Sequence, residues 1–279
     1  MIVNFEGITQ SEMLAAIPTY SSPVNGPESA GAYKELASDM STPELPYVQP
    51  LDINRTYLNA LQTSRYETML HFRTNISEFV LDPTHEPTDF QRNIWRQPVR
   101  SDIAVEYLQV GNQELKLYTT TFTPEQIQAL YGFTPDSKDW TSQVCVVPLF
   151  LKKTGLSFDE FLAVWKCGYV KFSPGPGQQY PEDSSSSIES LLIVFPEGQT
   201  LPSLYKLAVF IRLWRQLKRR FGDKSPSIQQ LAEICVCLQL FKGDSSNPDF
   251  IRQLVSLFTL RDFFGLPINL STIPDLYHC

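Results

Sequence analysis

The stretch Leu201–Arg220, LPSLYKLAVFIRLWRQLKRR, is the longest uninterrupted helical pattern in the chain and decides its fold class. Leu204, Leu207, Ala208 and Ile211 recur at helical spacing, as do Phe210, Leu213, Trp214, Leu217 and Phe221. The two stripes leave little polar surface before Arg212. A helix that is apolar nearly all round belongs in the middle of a packed bundle. Pro202 stands where a first-turn proline is tolerated, because its missing N–H would be an orphan there. Arg212, Arg215, Lys218, Arg219 and Arg220 crowd the C-terminal half, where cations complement the helix dipole, and Gly222 stops the helix.

The same kind of unit recurs on both sides of this helix: an apolar helical pattern, a turn with Ser, Thr or Gly, and a second helix opening with an acid or amide. Ser64/Glu67, Thr123/Gln126, Ser157/Glu160 and Ser227/Gln230 have the spacing of a capping box. In that motif the hydroxyl accepts from the third helical N–H and the acid or amide reaches back to the cap N–H. Gly111 with Glu114 three positions on is a related turn, and Gly155 and Gly265 are helix stops. In the first unit, Tyr57, Leu58 and Leu61 are expected to face inward. The spacing between units is uneven, which argues for stacked helical hairpins with insertions, not a solenoid of fixed period.

One segment breaks the helical pattern. Tyr169–Phe172 and Leu191–Phe195 are rich in strand formers, and between them Pro174–Ser190 has Pro, Gly and Ser at loop density. The expectation is a small two-stranded β-hairpin carrying a flexible loop over 173–190, placed just before the central helix. Residues 1–44 are weakly patterned and read as an irregular lead-in, with short helices through Ser11–Ala16 and Pro27–Met40.

The bulk properties narrow the function. The chain has 279 residues and a formal charge of −7, so general nucleic-acid binding has no electrostatic support. Five cysteines at irregular spacing read as reduced thiols and not as a disulfide scaffold. The N-terminus lacks the basic start and apolar run of a signal peptide. No run reaches the ~18 apolar residues of a membrane span. The sequence thus suggests a soluble protein made in the cytoplasm, with no secretory address of its own.

Residues able to do chemistry do not fall into a recognisable constellation. His71, His85 and His278 have no nucleophile turn near them in sequence. Cys235 and Cys237, two apart on a helical pattern, point in different directions and lack a second ligand pair. SPGPGQQ lacks the lysine and following helix of a phosphate loop. Asp159 and Glu160 suit the first turn of a helix. The basic run from Arg212 to Arg220 reads as a solvated face, with a protein partner bearing an acidic face as the competing reading. No catalytic, cofactor-binding or metal-ligating residue is assigned, and no cofactor is expected.

The string VVPLFLKKTGLSFDEFLAVWKCGYV, the strand-and-loop insert, and then LPSLYKLAVFIRLWRQLKRRFGDKSPSIQQLAEICVCL resemble the A component of the Tc insecticidal toxin complexes. Thr154–Glu160 matches that family's turn unit. Leu204, Tyr205, Phe210, Ile211, Arg212, Leu213, Trp214, Arg215 and Leu217 match its helix signature. The resemblance covers roughly residues 45–265 and is most specific over Val147–Leu238. The segment after the central helix and the tail INLSTIPDLYHC depart from the family pattern, as fits a fragment or divergent homologue.

The resemblance implies a segment of the α-helical shell of a large pore-forming translocation subunit. Such a segment is non-catalytic, acts through helix packing and protein–protein assembly with other toxin segments or protomers, and is released as part of the toxin complex. A free-standing α-helical protein-binding module that has lost toxin assembly is the alternative. The expected fold is all-α, with irregular stacked helical hairpins and one small β-hairpin: a lead-in over 1–44 and a helical region over 45–279.

Overall fold

The computed structural model describes residues 49–73, 99–181 and 188–265. The lead-in helices expected before residue 44, as well as His85, His278 and Cys279, lie outside these residues. Eleven helices are described: α1 (Gln49–Ala60), α2 (Arg65–His71), α3 (Ser101–Leu108), α4 (Asn112–Thr119), α5 (Pro124–Leu130), α6 (Trp140–Val144), α7 (Val147–Thr154), α8 (Phe158–Cys167), α9 (Thr200–Phe221), α10 (Ile228–Cys237) and α11 (Phe250–Phe264). The protein is all-α, as the capped helical patterns require.

All four capping boxes form. Ser64, Thr123, Ser157 and Ser227 each accept from the backbone N–H three residues on, and Glu67, Gln126, Glu160 and Gln230 each reach back to the cap N–H. Pro124 occupies the first turn of α5, where no N–H is needed. Gly155 ends α7 and Gly265 ends α11, both in the left-handed conformation. These helix boundaries are therefore set by local devices readable over four or five residues.

Helix α9 is the centre of the body. From Leu204 to Leu217 its apolar side chains are all buried, and so are Ser203, Arg212 and Gln216. It packs on α3 and α5; α3 also contacts α2 and α11, and α8 contacts α10. Tyr131, just past the end of α5, donates to the Leu204 carbonyl at 2.8 Å, and Tyr205 donates to the Leu117 carbonyl at 3.1 Å, so these phenol groups buried around α9 are bonded.

Among the described residues, two antiparallel two-stranded hairpins interrupt the helices. β1 (Ser173–Pro174) pairs with β2 (Ile193–Val194), with Ser173 opposite Val194 and Pro174 opposite Ile193. This corrects the first strand, expected at Tyr169–Phe172. The Phe172 carbonyl accepts from the Trp165 indole at 3.2 Å, and the Phe172 ring sits among Phe161, Tyr180 and Phe195. Phe172 thus serves the helix beneath, and the ladder starts one residue later. On its other side the β2 chain meets the start of α7: Val147 donates to the Leu191 carbonyl and Ile193 to that of Cys145.

The described start of the loop is built into the body. Tyr180 is buried edge-on against Phe161 and Trp165, and its hydroxyl lies within bonding distance of the Ser173 and Leu192 carbonyls. The side chain of Gln178 bridges the backbone of Ser190 and Leu192. The second hairpin, β3 (Phe241–Lys242) with β4 (Ser245–Ser246), turns through Gly243 and Asp244, with Gly243 at φ 68°. It seats Ser246 against Tyr205.

Candidate functional site

The basic half of α9 is where sequence and structure differ most. Arg212, expected on a solvated face, is 4% exposed and faces Glu114 of α4, itself 3% exposed. Its Nε lies 3.0 Å from both carboxylate oxygens and its Nη2 2.6 Å from Oε2. Tyr118, one turn along α4, donates to Glu114 Oε1 at 3.0 Å. Burial first, then the Glu114 charge, drives the Tyr118 phenol well above its usual range, so it remains a donor. Glu114 was expected to close a turn with Gly111. Glycine has no hydroxyl with which to complete that box, and the carboxylate turns inward. A buried fork of this kind satisfies both charges by geometry that a hydrated pair would not need.

Three further polar residues of α9 meet backbone carbonyls at the ends of neighbouring helices. A helix leaves its last four carbonyls without intrahelical partners. In α3 all four are met: Gln109 N–H reaches Glu106 and Val110 N–H reaches Val105, while Arg220 Nε donates to Tyr107 at 2.8 Å and Gln216 Nε2 to Leu108. Arg215 does the same for α7 through the Gly155 carbonyl. A Cβ at Gly155 would collide with that guanidinium, so the glycine permits both the left-handed turn and the approach of Arg215.

Outside these bonds the end of α9 borders an open cleft of about 330 Å³, lined by Gly155, Glu160, Trp214, Arg215, Lys218 and Arg219. Lys218 Nζ lies 3.0 Å from Glu160 Oε1 and 4.6 Å from the centre of the Trp214 ring. Arg219 donates to Gln216 Oε1 at 2.8 Å. With four charged residues in its lining, this cleft is the candidate functional site.

Helices α1 and α2 carry a second feature. They form a hairpin held on α3 by Glu106, whose carboxylate takes Arg55 at 2.8 and 3.0 Å and Arg65 at 2.5 Å. Tyr66 packs edge-on against Tyr107, with ring centres 4.9 Å apart. Tyr57 and Leu61, expected to face inward, instead face out at 70% and 75% exposure, and Ile53 and Phe72 are exposed as well. Leu58, the third residue expected inward, is half-buried. Arg55 takes the seat on α3 through Glu106, and the side bearing Ile53, Tyr57 and Leu61 is left outward.

The reactive side chains are placed as follows. His71 is the exposed last residue of α2. Burial pushes the Cys145 thiol up to about 11. The Cys167, Cys235 and Cys237 thiols are also raised, with burial the largest cause. A raised thiol stays in the poorly nucleophilic protonated form. Among the described residues, no group of three or more His, Cys, Asp or Glu is placed to hold a metal ion, and no helix is long and apolar enough to cross a membrane.

No protein-family model matches this chain, and neither a curated protein nor a solved structure does.

Proposed function

We propose that this chain is a non-catalytic helical segment that works by packing against other protein, as its resemblance to the α-helical shell of Tc toxin A subunits implies. The observation that carries the reading is the outward stripe on α1. Ile53, Tyr57 and Leu61 follow one another at four-residue steps, so they lie along one side of the helix, at 46%, 70% and 75% exposure. Scattered exposed apolar residues are ordinary, whereas a contiguous stripe marks an interaction surface. The hairpin that bears it is fixed to the body by Glu106, which holds the stripe in a set orientation. The protonated thiols, one buried and three half-buried, and the bonded polar residues of α9 favour a structural role for the interior. The partner of this face is an equivalent protomer, which meets it by helix-on-helix packing.

Sedimentation equilibrium of the full chain tests this. Reversible self-association is expected, and it should be lost when Tyr57→Ser and Leu61→Ser are combined, with the circular dichroism unchanged. A wild-type chain that stays monomeric throughout, or a double variant that associates equally well, overturns the reading.

A further inference from the structure

The cleft beside α8 and α9 has a one-sided chemistry that the packing of the core does not require. Arg215, Lys218 and Arg219 follow one another at i, i+3 and i+4 and so share one face of α9. Glu160 is the one carboxylate among the residues lining the cleft. This concentration of cations stands in a chain whose formal charge is −7.

The geometry points to this cleft as the docking site for a short acidic peptide segment of a partner protein. Lys218 is the adjustable member. Its pair with Glu160 joins side chains that are 56% and 27% exposed, and such pairs hold little energy. An incoming carboxylate can therefore take Lys218 from Glu160. The exchange leaves the fold intact, because Glu160 uses its other oxygen, Oε2, to accept from the Ser157 N–H at 3.0 Å and keep the α8 cap. Arg215 is the anchored member: it donates to the Gly155 carbonyl, an approach that the absence of a Cβ at that glycine permits. Trp214 lies under Lys218 and supports its charge through the ring face.

The shape favours a peptide over a small ligand. The cleft is open and its lining is largely charged, without the enclosing apolar wall that buries a compact small molecule. A segment of extended chain can pass through such a groove and present carboxylates to successive turns of α9. The inference rests on charge complementarity and not on the α1 stripe, so either can fail without the other.

The test is titration of the full chain with a hexaglutamate peptide and, separately, with inorganic pyrophosphate, followed through the Trp214 indole resonance. Saturable peptide binding that weakens with added salt is expected. Lys218→Ala should weaken it about fivefold. Glu160→Gln keeps an amide in the capping box but removes the competing charge, and should tighten binding about threefold. Lys116→Ala, a cation on α4 away from the cleft, should leave it unchanged. Absence of saturable binding, equal affinity across Lys218→Ala, Glu160→Gln and wild type, or tighter binding of pyrophosphate than of the peptide would each overturn the proposal.

Discussion

Helices α9 and α1 both use arginine against a buried glutamate, and they differ in how far the arginine is buried. In α9, Arg212 and its partner Glu114 are 4% and 3% exposed, and apolar residues surround them. In α1, Arg55 is 22% exposed beside Glu106, itself 5% exposed, and Ile53, Tyr57 and Leu61 point away from the body. One arginine is locked inside and organises the core. The other clips a peripheral hairpin onto it. The difference teaches that the same residue pair can either belong to the interior or present a neighbouring surface, depending on which face of its helix is apolar.

That contrast can be broken most severely at Arg212. Arg212→Ala leaves Glu114 buried without its counter-charge and should cost about 3–5 kcal/mol in chemical denaturation. Combining Arg212→Met with Glu114→Leu removes both charges and should recover most of the loss, because a buried pair replaced by apolar residues is often near neutral. A double variant as unstable as the single one would show that the pair itself holds the core. Next in size, Trp214→Ala should cost about 3 kcal/mol, at the low end for a buried aromatic because the ring sits on the rim of the cleft. A loss below about 1 kcal/mol would place α9 nearer the surface than described.

The smallest effect belongs to the periphery. Glu106 is buried but its two arginines are partly exposed, so Glu106→Gln, which retains a hydrogen-bonding side chain, should cost about 1–2 kcal/mol. A cost equal to that of Arg212→Ala would erase the distinction between the two regions.

How much of this was legible depended on range. Helix ends were legible because their causes are local: a hydroxyl and an acid or amide three residues apart, or a glycine at a left-handed stop. All four boxes formed where the spacing placed them. The Arg212–Glu114 pair was not legible, since its members stand 98 residues apart and each had a plausible local role, Arg212 in a basic run and Glu114 beside a turn. The inward or outward sense of α1 was hidden for a related reason. Periodicity finds the apolar stripe but not which side meets the body, and here the choice went to Arg55 through Glu106.

The strand at Ser173–Pro174 was displaced from Tyr169–Phe172 because an aromatic cluster, invisible to propensity, claimed Phe172. Tyr180 was lost within a Pro-, Gly- and Ser-rich composition. The second hairpin was overlooked although the Gly243–Asp244 dipeptide between two short extended runs is a hairpin signal. Of the candidate cleft, the sequence displayed the cations but not the company of Glu160, Gly155 and Trp214 that shapes it.

The division between a locked centre and a partner-facing hairpin is tested most directly by hydrogen exchange of the full chain at rising protein concentration. Amides of α9 should exchange only through global unfolding and be indifferent to concentration, whereas those of α1 should exchange by local opening when dilute and gain protection as protomers associate. Protection of α1 that does not change with concentration, or α9 amides exchanging as fast as those of α1, would contradict it.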